Sequence, residues 1–377
     1  MSNYTLFEKR LMSKIISQSL RYKGKTFPNP IVGAAVYKGD TVIATGYHLG
    51  YGLDHAEVVA LKKAGAAARG ASMMVSLSPC THYGQTPPCV DAIIAAGISK
   101  ITFPIIDPHP ATKRLPVTTL LKKAGIQVKI GLCKEKALQT NGGYFSAIIN
   151  KKPFVHLKVG MSLDGIIAEK NNPRRYITST EALKRVHRLR RTVQAIIVGV
   201  GTILADNPKL DVRYKLLRNG YHLPKRVILD PTGKTPLSSQ VLASRHASET
   251  IICTSSRCPA DKLTQLQKVA TIWELPETPY GLDWHALLQK LGALNLQDVL
   301  IEGGQHVFSS ALCEKIVDWG HFFIAPNILG REANLSAFNL PKSHPNISLP
   351  DFYNFQYHMC GADLYMTGPL HCQKLKI

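Results

Sequence analysis

From residue 4 to 22 the apolar positions Phe7, Leu11, Ile15, Ile16 and Leu20 recur three to five residues apart, which predicts a helix with one inward face. Two β-branched, apolar-rich runs, 31–37 and 41–46, flank Lys38-Gly39-Asp40 and predict a hairpin with a glycine-containing turn. The stretch 57–68 is rich in Ala, Leu and Lys and reads as a helix starting at Asp54 or His55. A strand is expected over 72–77, then a helix opened by Pro87-Pro88 and stopped by Gly97, because proline suits a first helical turn and glycine an end. A strand (100–106), a loop (107–116), a helix (117–124) and a strand (126–130) complete an alternating pattern, the mark of an α/β layered domain.

The pattern pauses between Asn141-Gly142-Gly143 and Lys151-Lys152-Pro153, which places a domain boundary near 148, with domains 1–147 and 148–377. A chain of 377 residues is long enough for two cores. The second half predicts a strand over 154–161 and a helix over 179–191, where Thr178 followed by Glu181 forms a capping-box pattern. Residues 195–200 are continuously apolar and β-branched, as in a strand buried on both faces. Further strands are expected at 226–229, 249–254 and 299–301, with a β-rich tail from Gly320, so this half is also α/β.

Composition narrows the functional classes. Hydrophobic residues make up 45% and charged ones 19%, as in a globular chain. Lysine and arginine outnumber acids 46 to 25, a formal charge of +21 that attracts anions. The basic residues are scattered in ones and twos, so a small phosphorylated ligand competes with nucleic acid as the explanation. No run approaches the ~18 apolar residues of a membrane span, and the start of the chain lacks a signal-like apolar core; the expectation is a cytoplasmic protein. Six of the eight cysteines share no spacing and read as reduced thiols.

Cys80 and Cys89 are different, because His55 and Glu57 stand upstream of them. One imidazole and two thiols leave the fourth position of a tetrahedral zinc open for water, and a spare carboxylate can move that water's proton. His55, Cys80 and Cys89 are therefore candidate metal ligands and Glu57 the candidate catalytic acid–base. His55 and Glu57 fall in the first turn of one expected helix and Cys89 in that of another, where negative charge on a thiolate is favoured. The bland alternative is a helix-capping histidine, a solvated glutamate and two core thiols; His-x-Glu alone does not decide against it, but Pro-Cys-x8-Cys downstream does.

His55-Ala56-Glu57 with Pro79-Cys80 resembles the cytidine deaminase superfamily, and the string 79–89, Pro-Cys-Thr-His-Tyr-Gly-Gln-Thr-Pro-Pro-Cys, resembles its riboflavin-biosynthesis branch. Deaminases of nucleic acid mostly keep a shorter Cys-x-x-Cys spacing. The segments around Asn29, Gly33 and Gly46-Tyr47-His48 also match, and by resemblance Asn29, His48 and His82 contact the pyrimidine substrate; turn and cap chemistry is the alternative for Asn29.

In the second half, Gly199-x-Gly201 after a strand lacks the third glycine and the following acid of a dinucleotide fingerprint. Together with a second glycine exit at Glu302-Gly303-Gly304, the segment 158–165 and His187-Arg188-Leu189-Arg190, it resembles the reductase half of the same family, whose fold is similar to dihydrofolate reductase. The resemblance implies a bifunctional enzyme, a cytidine deaminase-like three-layer α/β/α domain followed by a dihydrofolate reductase-like α/β domain. It would hydrolyse the 2-amino group of a diaminopyrimidinone ribosylamine 5′-phosphate with zinc, then reduce the ribosyl to a ribityl chain with NADPH.

Carried over by motif, Gly160, Tyr176, Thr202, Asp206 and Gly304, Gln305, His306, Val307, Phe308, Ser309 and Ser310 would bind NADPH. Arg174, Arg190, Leu210, Arg213 and Glu302 would hold the reductase substrate, while Lys158 and Asp164 sit in family motifs without an assigned role. The resemblance also implies self-association through the reductase domain and a small phosphorylated pyrimidine rather than nucleic acid as the partner, and the lack of a long apolar run speaks against a membrane partner. The chain departs from the family pattern at Gln85, where a basic residue is usual, at His109, where Asn is usual, and at Ser78, Arg114, Arg174, Tyr176 and Trp319. The rival readings are a zinc deaminase of nucleosides or RNA bases with a C-terminal binding domain, and an enzyme with one working half.

Overall fold

The structure, a computed structural model, describes residues 4–114, 116–169, 176–214, 216, 221–243, 249–330, 332, 335–340 and 354–370. The chain forms two compact units that divide between Asn150 and Lys151.

The first unit is built on a five-stranded sheet in the order β2-β1-β3-β4-β5. Strand β1 (Gly33–Lys38) lies antiparallel to β2 (Thr41–Tyr47) and β3 (Ser72–Val75), and β4 (Lys100–Phe103) and β5 (Gln127–Ile130) continue in parallel. Side chains alternate across a strand, so Ala34, Val36, Met73, Val75, Ile101 and Phe103 share one core with α2 (Ala56–Ala64), α3 (Cys89–Ala95) and α5 (Val117–Lys123). On the other face Tyr37 meets Phe7 of α1 (Leu6–Ser19), and its hydroxyl donates to the buried Glu8 carboxylate. Helices α4 (Pro110–Arg114), α6 (Lys134–Thr140) and α7 (Gly142–Asn150) complete three layers.

One close approach sets the site. Gly46 on β2 packs against the start of α2, and a methyl group placed on it would run into backbone atoms of Ala56 and Ala60. Backbone cannot step aside as a flexible side chain can, so glycine is what lets the strand seat the helix bearing Glu57.

The second unit holds a nine-stranded sheet, β11-β10-β9-β8-β14-β6-β15-β18-β17. Strands β6 (Phe154–Ser162), β8 (Ala195–Gly199), β9 (Lys225–Leu229), β10 (Thr250–Thr254), β11 (Thr271–Glu274), β14 (Asp298–Gly303) and β15 (Trp319–Ala325) run parallel, and β18 (Asp363–Pro369) and β17 (Gln356–Cys360) close one edge antiparallel. The expected two-sided burial of β8 holds: Ile197 points into a core with α12 (Trp284–Ala293) and α13 (Gln305–Cys313), and Ile196 and Val198 into one with α10 (Gln240–Ala243) and α11 (Ala260–Gln267). Val200 leaves the strand and begins α9 (Val200–Asp206).

Two small antiparallel pairings, the hairpin of β12 (Glu277–Thr278) with β13 (Gly281–Leu282) and the long-range pair β7 (Ile166–Ala168) with β16 (Leu335–Ser336), lie outside the large sheet. Helix α8 (Thr180–Arg190) starts one residue later than its capping-box pattern predicts: Ser179, not Thr178, is the cap, accepting from Ala182 N. The reason is tertiary, since Asp363 of β18 accepts both the N–H and the hydroxyl of Ser179 and anchors it there. All seven cysteines among the described residues are free.

Candidate active sites

In the first unit, three separate segments converge. His55 caps α2 with extended backbone, Cys89 opens α3 after Pro88, and Cys80 lies in the loop that follows β3. His55 Nδ1 is 3.2 Å from Cys89 Sγ and 3.5 Å from Cys80 Sγ, and the three donor atoms all lie within 4.8 Å of one another. A tetrahedral zinc with bonds of about 2.0–2.3 Å spaces its ligands about 3.3–3.8 Å apart, so this nitrogen–sulfur–sulfur set fits the ion.

The hydrogen bond from Cys89 pulls the Cys80 thiol down to about 4, with burial opposing and His55 helping. The Cys89 backbone N–H also donates to Cys80 Sγ (3.3 Å), as a helix start does for an anion. Cys89 is pushed up by the same shared proton and by burial. Glu57, two residues from His55 and 3% exposed, is raised to about 7 by burial and then by the Cys80 charge.

His48 and Asn29 join this cluster. The Asn29 amide donates to His48 Nε2 (3.2 Å), His48 Nδ1 donates to the Asp54 carbonyl oxygen (3.1 Å), and the His48 ring lies edge-on to that of His55, 5.2 Å away. Burial lowers the His48 pKa, keeping its ring neutral. His82 stacks against His109, ring centroids 5.1 Å apart. Gln85, at the position where a basic residue was expected, donates to the exposed Tyr51 hydroxyl.

In the second unit a cleft of about 1190 Å³ opens where β6, β8, β9 and β14 end. It is where an open α/β sheet binds ligands. Of the residues expected there, Gly160, Tyr176, Thr202, Asp206, Arg190, Leu210, Arg213, Glu302, Gly304 to Phe308, Ser310 and Lys158 line it. Ser309 does not; its hydroxyl donates to the Gln305 carbonyl and accepts from Asn339 N. Asp164 is spent in a turn, accepting from Ser162 Oγ, Leu329 N and Gly330 N. Arg174 lies outside the described residues. Trp319, on β15, donates to Thr367 and is not in the cleft lining.

At the cleft floor Arg190 grips Glu302 with two parallel bonds, Nε to Oε1 (2.6 Å) and Nη2 to Oε2 (2.8 Å), and gives Nη1 to the Asp211 carbonyl (2.9 Å). Lys158 Nζ approaches Glu302 Oε2 at 3.5 Å. Burial pushes the Glu302 carboxyl up, but Arg190 and then Lys158 outweigh it and hold it at about 2. His187, quoted in the sequence only as a motif neighbour, lines the same floor; burial and the Arg190 and Arg213 charges lower it to about 4, so its Nδ1 stays an acceptor for Arg213 N. Its spacing of three from Arg190 on a helix was the available signal. A Cβ on Gly303 or Gly304 would sit 3.4–3.5 Å from Thr202 Oγ1, so the glycine exit brings backbone close to the α9 side of the cleft. The start of α13 at Gln305 presents helix-terminal N–H groups to the same space, which fits a phosphate-bearing nicotinamide cofactor.

These two sites define a class: a metal-dependent deaminase unit followed by a dinucleotide-dependent reductase unit on one chain. Residues 7–105 match the cytidine and deoxycytidylate deaminase zinc-binding region, and residues 153–360 the RibD C-terminal domain. The chain belongs to the RibD family of riboflavin biosynthesis proteins and is a bifunctional deaminase and reductase, with zinc and NADPH as its cofactors. It is 38% identical to the riboflavin biosynthesis protein RibD of Aquifex aeolicus over 323 residues, covering 86% of this chain and 88% of that one. It superposes on Acinetobacter baumannii RibD with a TM-score of 0.80 at 32% identity, covering 97% of this chain and all of the other. A diaminohydroxyphosphoribosylaminopyrimidine deaminase/5-amino-6-(5-phosphoribosylamino)uracil reductase from Thermotoga maritima matches with a TM-score of 0.76 at 28% identity, covering 96% and 99%.

Proposed function

We propose that the chain catalyses two consecutive steps: hydrolytic deamination of 2,5-diamino-6-ribosylamino-4(3H)-pyrimidinone 5′-phosphate, then NADPH reduction of its ribosyl group to a ribityl chain. The observation that carries the first step is the buried Glu57 carboxyl set in the first turn of the helix that His55 caps, beside the two cysteines. His55, Cys80 and Cys89 hold zinc, which when bound lowers the pKa of a water enough to make it a nucleophile near neutral pH. Glu57 takes a proton from the attacking water at a carboxylate oxygen and returns it to the departing amino nitrogen, so water is consumed and ammonia leaves. Asn29 and His48, locked to one another, and His82 hold the pyrimidine.

In the second unit NADPH, when bound, supplies the hydride. Gly160, Thr202, Asp206 and the start of α13 hold the cofactor, while Arg213, Leu210 and the Arg190–Glu302 pair set the substrate. Lys158, tied to Glu302, keeps a cation at the floor of the cleft. The enzyme would act in the cytoplasm on a small phosphorylated pyrimidine and pair with a second copy through its reductase unit, which light scattering tests. Among the described residues no helix is long and apolar enough to cross a membrane. Feeding the diaminopyrimidinone phosphate with NADPH and following ammonia and absorbance together tests both steps. Ammonia without NADPH oxidation removes the reductase assignment; neither signal removes the whole reading.

A further inference from the structure

The segment 107–112, which leads into α4, is held by an unusual number of side-chain hydrogen bonds. Asp107 N donates to Ser78 Oγ (2.9 Å), and Asp107 Oδ1 accepts from the His109 N–H (2.9 Å) and from the buried Tyr144 hydroxyl (2.8 Å). The Thr112 hydroxyl lies within hydrogen-bond distance of the carbonyl oxygens of both Asp107 (2.8 Å) and His109 (2.7 Å). Ala111 N donates to His109 Nδ1 (3.3 Å), which makes that nitrogen an acceptor and fixes the ring itself. What all this steadies is one imidazole, and it lies almost flat on the His82 ring, with 14° between planes and 5.1 Å between centroids.

His82 follows the ligand Cys80 by two residues, and its Nδ1 is buried with no hydrogen-bond partner. The pairing also accounts for a departure seen in the sequence, since the amide usual at position 109 has no ring face to offer.

We propose that His109 is a positioning residue of the deaminase site: by stacking on His82 it holds that imidazole in one orientation toward the pyrimidine nucleotide. The inference rests on the deaminase reading given above. His109 need not touch the substrate; an unsupported His82 ring would turn about its side-chain torsions, and each productive encounter would then include the entropy of stopping it.

The test measures ammonia release by His109→Ala and His109→Phe, with zinc content and NADPH oxidation on the deaminated substrate showing that both units are folded. Loss of a stacked aromatic partner is expected to raise the deaminase KM of His109→Ala about three- to tenfold with kcat within about twofold. His109→Phe keeps the ring face without its nitrogens and is expected to return KM to within about twofold of the native enzyme. An unchanged KM in the Ala variant, a loss confined to kcat, or a Phe variant as impaired as Ala would each overturn the proposal. The Phe variant alone decides should the Ala variant lose its zinc. Calorimetric substrate binding in a Glu57→Gln background separates the two levels of inference. No binding there ends the deaminase assignment and this proposal with it, whereas undiminished binding by Glu57→Gln/His109→Ala ends this proposal alone.

Discussion

Replacing Arg190 by leucine should leave Glu302 as a buried carboxylate with Lys158 as its remaining close cation, and the consequence can be worked from the geometry. The Glu302 carboxyl is held at about 2, against the 4.5 of a free glutamate, which corresponds to about 3 kcal/mol of stability at neutral pH. Breaking a buried pair from one side costs about 3–5 kcal/mol, because the surviving charge keeps its desolvation penalty. Since the folded pKa lies below the unfolded one, the native stabilisation is complete above about 4.5 and fades as pH falls toward 2. The deficit of Arg190→Leu relative to the native enzyme is therefore largest at pH 7 and narrows below about pH 4.5. Trp273, Trp284 and Trp319, the three tryptophans of the chain, all lie in the second unit, so tryptophan fluorescence during urea unfolding reports that unit selectively. Adding Glu302→Gln removes the orphaned charge and should recover most of the loss. A deficit under about 1 kcal/mol, or one that Glu302→Gln leaves untouched, would show that Arg190 does not stabilise the fold by neutralising Glu302.

Glu57→Gln should keep about one zinc per chain by metal analysis while ammonia release falls about 10²–10⁴-fold, because the proton carrier and not a ligand is lost. Stripping metal with a strong chelator should abolish ammonia release yet leave NADPH oxidation on supplied deaminated substrate intact, and zinc should restore the first activity. Gly46→Ala should destabilise the first unit by about 1–3 kcal/mol or more, as a methyl forced against the α2 backbone must shift the helix. Ammonia release should drop in that variant while the reductase assay stays unchanged.

Much of the fold could be read along the chain because its signals are local. The proline-opened α3, the two-sided apolar run of β8 and the alternation of strands with helices each arise within a dozen residues. Two of the candidate ligands, His55 and Cys89, and the acid–base candidate Glu57 were legible for the same reason, since they stand at helix starts that the sequence announces. The start of α8 was misplaced by one residue because the contact that selects Ser179 comes from Asp363, far along the chain.

Residue types and local spacing are enough to show which chemistry is available: a nitrogen and two sulfurs for a metal, a spare carboxylate, and glycine exits after buried strands. How those groups are used depends on contacts between distant segments. Only folding brings Glu302 of β14 against Arg190 of α8 and Lys158 of β6, turning three separate charges into one buried network with a carboxyl near 2. Only folding lays His109 on His82 and leaves one nitrogen without a partner. Helix starts and strand burial follow from neighbours in sequence, but desolvation, charge pairing and ring stacking depend on which distant segments are pressed together in the absence of water.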